Sequence, residues 1–172
     1  MTRLWLVRLG KNGEQESHAL STSEMVLGFR VKSLGSAKDR DSVLIAVKSA
    51  YADLKAKTQL NFAAQLNQFC NQMQLGDLVV VPLKTTGQIA IGEVAGPFFQ
   101  PDEQGVARRV KWLKADIARE AFRQDLLYSF GAFMTVCEIS RNDALRRVST
   151  VVKTGADPGF ETGVGATKGL DS

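Results

Sequence analysis

A chain of 172 residues with 44% hydrophobic and 23% charged residues has the composition of one globular domain, long enough to bury its own core. It lacks any run of about 18 apolar residues that could span a membrane, and its opening "MTRLWLVRLGKNGE" is too interrupted by charge for a secretory leader, so a cytoplasmic protein is expected. The formal charge of +4 is unevenly spread: residues 1–107 carry 11 Lys/Arg against 10 Asp/Glu, residues 108–153 carry 10 against 5, and residues 154–172 carry 1 against 3, which concentrates any attraction for polyanions in the second half of the domain.

The first element is a strand over "RLWLVRL" (3–9), apolar on both sides and therefore central or barrel-closing. "GKNGE" (10–14) is a turn, and "EMVLGFR" (24–30) a second strand in which Gly28 permits close backbone approach. Val43, Val47, Ala50 and Leu54 recur at helical spacing across 41–56. Phe62, Leu66, Phe69, Cys70 and Met73 do so across 58–73, with Thr58 at the start. A hairpin follows, with strands near 77–83 and 88–95 turned by "KTTGQ". "GVARRVKWL" (105–113) predicts another strand, 116–127 a short helix, "FMTVCEI" (133–139) a last strand and 140–152 a final helix. From residue 153 glycine dominates and apolar periodicity stops, so 153–172 is expected to be a flexible tail or linker.

The resulting order, β-β-α-α-β-β-β-(α)-β-α, lacks alternating βα units and disfavours a Rossmann-type fold. The expected class is α+β: a small, mixed or antiparallel curved sheet, or a partly open barrel, with flanking helices.

Catalytic chemistry is hard to place. His18 is the single histidine and reads as an exposed loop residue, while Cys70 and Cys137 lie among apolar residues and read as two buried thiols. Asp77 and Glu93 are isolated carboxylates without a lysine partner, and "TGVGATKG" lacks the spacing and flanking strand of a phosphate loop. The chain alone is therefore expected to be non-enzymatic, without metal or cofactor. Binding signals are richer. Trp5, Phe29, Phe98, Phe99 and Trp112 lie on or beside strands, where they serve either as core or as stacking surfaces. "ARRVKWLK" places Arg108, Arg109, Lys111 and Lys114 between apolar residues, either as a solvated strand face or as contacts to a phosphate backbone. "GKNG" is a plain turn or a backbone cradle for phosphate.

Three phrases, "LWLVRLGKNGE", the "GF" of "MVLGFR", and "LGDLVVVPLKTTGQIAIGEVAGPF" followed by "RRVKWL", together resemble the N-terminal domain of Mrr-type restriction endonucleases, a module similar to the EVE and wider PUA-like barrels. The resemblance covers roughly residues 1–148; the helical stretch 41–73 matches less well. It implies a PUA-like recognition domain over 1–152 that binds double-stranded DNA, reads a modified base (modified cytosine first) flipped into an aromatic pocket, and works with a nuclease domain in cis or in trans. Residue by residue, Trp5 matches the aromatic of the family's first strand and Asn12 sits in the matching turn. Phe29 stands where many relatives have tryptophan, and Pro82, Leu83 and Lys84 end the strand flanking the pocket. Phe29 and Trp5 would stack, Asn12 would read or position the base, and Lys11, Arg30, Lys84, Arg108 and Arg109 would meet phosphates. An RNA-binding member of the same fold is the alternative, and a protein-interaction module the third reading.

Overall fold

The computed structural model describes residues 1–159. In chain order these form β1 (Leu4–Val7), α1 (Glu16–Thr22), β2 (Glu24–Val26), α2 (Arg40–Ala50), α3 (Ala56–Asn67), β3 (Leu78–Pro82), β4 (Ile89–Phe99), β5 (Ala107–Ile117), α4 (Gln124–Ser129), β6 (Val136–Glu138) and α5 (Ala144–Thr154). All six strands join one sheet in the order β2-β5-β4-β3-β1-β6. β1 runs parallel to β3 and every other pairing is antiparallel. The short strands β2 and β6 are its two edges, so the sheet is mixed and open; it does not close into a barrel.

Both faces of the sheet are covered, which explains why β1 and β3 read as continuous apolar runs. Trp5, Val7, Val79, Val81, Val94 and Val110 pack with Val43 and Val47 of α2 and Ala63 and Leu66 of α3. Leu4, Leu6, Leu78, Val80, Ile89 and Ile91 face the other way, against Leu126 and Phe130 and against Val148 and Val151 of α5. Asp39 caps α2 by accepting a bond from the Ser42 N–H at 2.8 Å. The helical pattern of 41–56 stops at Ala50, and α3 begins at Ala56 and closes in a π-helical turn over Gln68–Gln72.

The helix α1 has no apolar periodicity and was not expected. A carboxylate holds it: buried Glu16 accepts bonds from the Lys84 and Thr85 N–H groups (2.8 and 3.0 Å) and from the Thr85 hydroxyl (2.7 Å). Gly13, at φ +80°, leaves room for it, since a Cβ there would lie 2.8 Å from that carboxylate. β5 runs to Ile117, past the expected end at 113, and the expected helix over 116–127 shrinks to a 3₁₀ turn at Arg119–Ala121 and α4. At the other end the ordered chain passes the boundary read at 152. Buried Arg147 donates to Asp157 and Asp125 at 2.7–2.9 Å, while Asp157 also accepts from the Arg123 N–H, which fastens residues 155–159 to the domain. The rest of the expected tail lies outside the described residues.

Candidate nucleic-acid interface

Five of the residues singled out from the sequence are core residues. Trp5 is fully buried because β1 is covered on both faces, and its indole N–H donates to Asp77 Oδ2 at 2.9 Å. Asp77 also accepts from the Gln74 and Arg3 N–H groups, which ties β1 to the start of β3. Phe29 packs edge-on against Phe62 (5.0 Å between centroids), which in turn packs edge-on against Tyr51 (5.2 Å). Pro82 and Leu83 are buried at the end of β3. Arg108 is 4% exposed and donates to the Phe69 and Met73 carbonyls (both 2.8 Å) and to the Gly96 carbonyl (3.1 Å). Burial lowers its pKa, with Cys70 and Asp77 opposing. These side chains hold the fold; the stacking and phosphate roles expected of Trp5, Phe29 and Arg108 are not open to them here, nor is a pocket rim at Pro82 and Leu83.

Lys11, Asn12, Arg30, Lys84 and Arg109 are exposed. Arg109 is engaged with Glu24 (3.0 Å) and lies over the Phe99 ring. The Glu16 carboxylate links the turn after β1 to the turn after β3, so Lys11, Asn12 and Lys84 share one end of the sheet, where β5 finishes at Ile117 opposite Ile89. Arg30 lies at the other end. β2 runs antiparallel to the first residues of β5, and the segment after it bonds to the loop before β5 through Leu27 N–H to the Val106 carbonyl and Val31 N–H to the Gln104 carbonyl. The residues expected to form one pocket are thus split between opposite ends of β5.

At the Arg30 end lies a groove of about 850 Å³ between the segment 30–37 and α2. The Arg30 N–H donates to the Tyr51 hydroxyl at 3.0 Å, and its guanidinium reaches Asp102 (3.1 Å) and Gln104 (3.5 Å). Lys32 pairs with Glu103 at 3.0 Å, with both side chains more than half exposed. Hydroxyls come from Ser33, Ser36, Ser42 and Ser49, and an exposed apolar surface from Ile45. Bonds from the Gln104 N–H, Arg30 and the Gly105 N–H hold the Asp102 carboxyl below its ordinary pKa, so it stays an anion beside Arg30. Lys32, the serines, Tyr51 and Gln104 were missed by sequence reasoning. One signal was present: Ser42, Ile45, Ala46 and Ser49 fall at i, i+3, i+4 and i+7, a face of α2 made of small and polar residues around one isoleucine.

Among the described residues no three His, Cys, Asp or Glu side chains gather where they could hold a metal ion, and no helix is long and apolar enough to cross a membrane. Cys70 and Cys137 are free, partly buried thiols, and His18 lies exposed on α1 near Glu24.

Fold and site together define an α+β domain with an open, six-stranded mixed sheet and a polar groove between a loop and a helix. The chain belongs to the family described as Domain of unknown function (DUF8426), whose model matches residues 5–138. A solved structure of a hypothetical protein from Leishmania major is similar, with 10% sequence identity over 90% of this chain and 97% of that chain and a TM-score of 0.47. No curated protein matches the sequence.

Proposed function

We propose that this chain is a duplex-DNA-binding domain of a restriction system, acting by recognition rather than catalysis, and that it receives an extruded base, modified cytosine first, in the groove between residues 30–37 and α2. The groove's composition carries the reading. A nucleotide presents a flat apolar ring, polar base edges and a phosphate. The groove offers Ile45 and the Tyr51 ring to the first, hydroxyls and the Gln104 amide to the second, and Arg30 and Lys32 to the third. Both cations are already paired with carboxylates, but exposed pairs contribute only about 0–1 kcal/mol, so a phosphate can replace them. Extrusion costs a few kcal/mol and one aromatic stack returns about 1–3, so ring and phosphate contacts have to act together. The likeness of "LWLVRLGKNGE", the "GF" of "MVLGFR", and "LGDLVVVPLKTTGQIAIGEVAGPF" followed by "RRVKWL" to Mrr-type and EVE-like modules supports the same reading, with strand cleavage left to a nuclease domain in cis or in trans.

The test is fluorescence anisotropy with duplexes carrying cytosine, 5-methylcytosine, 5-hydroxymethylcytosine or 6-methyladenine, across a salt series, for the parent and for Ser49→Trp, which fills the groove from the exposed face of α2. The expected result is a preference for one modified duplex that survives rising salt in the parent and disappears in Ser49→Trp, while salt-sensitive binding to plain duplex remains. A preference unchanged in Ser49→Trp, or no duplex binding at low salt, refutes the groove as the site. Displacement of DNA by matched RNA would move the assignment to RNA.

A further inference from the structure

The end of the sheet opposite the groove carries two aromatic rings that the fold does not use. Phe133 is 104% exposed and Tyr128 88%, so burying neither ring contributes to stability. The segment that displays them is firmly held. The Arg8 guanidinium donates to the Phe130 carbonyl (2.7 Å) and the Ala132 carbonyl (3.3 Å), and the Arg8 N–H to the Thr135 carbonyl (2.8 Å). From α3, the Gln65 side-chain oxygen accepts from the Thr135 and Val136 N–H groups (2.8 and 3.0 Å), and buried Phe130 packs edge-on against Phe122. Phe133 is thus an exposed ring on a stretch of backbone fixed on both sides.

Cations share this end. Lys11 follows β1, Lys84 follows β3 and Arg119 follows β5, and among the described residues none of the three has a carboxylate within salt-bridge distance. Burial chiefly, and the Arg119 charge in addition, lower the Arg8 pKa while Cys137 opposes, which places Arg119 close to the anchored segment. Of the acidic residues on these turns, Glu16 is buried in its bonds to Lys84 and Thr85, Glu14 accepts the Asn12 N–H and feels the Lys11 charge weakly, and Glu120 adjoins Arg119.

Exposed rings among unpaired cations are what an unstacked strand requires: ring faces for its bases and positive charge along its phosphates. A protein-docking face would call for a broader apolar patch of several hundred Å². We propose that this end of the sheet binds single-stranded nucleic acid, with bases stacked on Tyr128 and Phe133 and phosphates met by Lys11, Lys84 and Arg119. The site is separate from the groove and does not depend on it.

The experiment uses the full chain and an oligothymidine of about 15 nucleotides, beside an abasic oligomer of equal length, read by anisotropy. Both rings are outside the core, so the Tyr128→Ala/Phe133→Ala double variant should keep the parent's melting temperature. Its affinity for oligothymidine is expected to fall by about tenfold or more, to the level of the abasic oligomer. Lys11→Glu/Lys84→Glu should flatten the salt dependence, and Ser49→Trp should leave oligothymidine binding unchanged. Equal parent affinity for the two oligomers, or no loss in the double variant, overturns the proposal. So does a parent dimer in sedimentation that dissociates with Phe133→Ala, which would assign the rings to self-association.

Discussion

Replacing Arg108 with alanine should unfold this protein more readily without touching the nucleic-acid surface proposed above. The guanidinium is 4% exposed and donates to three main-chain carbonyls, of Phe69, Met73 and Gly96. Two of these close the end of the helix that follows α3, and the third lies on β4, so one side chain satisfies the helix end and the bulged strand together. Removing it orphans three buried acceptors, each costing about 1–3 kcal/mol, with less than full additivity because they share one donor and water can reach the gap. The expected loss is about 3–5 kcal/mol, a fall in melting temperature of roughly 6–20 °C for a domain of this size. Urea unfolding and calorimetry measure it, and anisotropy at a temperature where the variant is folded measures duplex binding. A loss of stability below about 1 kcal/mol combined with a loss of DNA affinity would refute this assignment and return Arg108 to the phosphate contacts.

Three further outcomes concern the interior. Removing one partner of the buried Arg147–Asp157 pair, as in Asp157→Ala, is expected to cost about 3–5 kcal/mol in urea unfolding. Side-chain bonds from Arg147 hold the Asp125 carboxyl low; at Asp157 burial pushes upward, but bonds from Arg147 and from the Arg123 and Gly159 N–H groups outweigh it. Both carboxyls therefore titrate lower in the folded than in the unfolded chain. Their contribution is present above the unfolded Asp value of about 3.9 and is lost as pH falls from there through the lower folded values, so the urea midpoint should drop as pH falls below about 4 and do so less in Asp157→Ala. Burial pushes the Cys70 thiol up to about 12, with Arg108 and Lys38 opposing. Iodoacetamide at mildly alkaline pH should leave Cys70 unmodified in the native protein and alkylate it once urea unfolds the chain, as peptide mapping would show.

The strands that build the sheet's centre were legible because each couples an apolar run to a turn residue: "LWLV" before Gly10, and "LVVVP" and "IAIGEV" around Gly87. Elements held by polar contacts were not legible. α1 rests on the Glu16 carboxylate, and the segment after α5 on Asp157, and neither leaves a hydrophobic period in the sequence. β5 continues past Leu113 through Lys114 and Asp116, whose exposed side chains look helical or loop-like when its partner β4 is unknown. The same limit governed the site. A ring on a strand is equally compatible with a core and with a pocket, and Trp5 and Phe29 became core because α2 and α3 cover that face. The groove was hidden for the opposite reason: serines on a helix face look like solvated surface until the segment 30–37 is seen to lie across them.

A duplex with 2-aminopurine stacked beside a 5-methylcytosine gives the most direct measurement of base extrusion, because the fluorophore brightens when its neighbour leaves the helix. Titrating the parent to saturation should raise the emission, and Ser49→Trp should not raise it at equal occupancy. A parent that saturates the duplex by anisotropy with no change in 2-aminopurine emission would contradict a base held in the Arg30–Tyr51 groove.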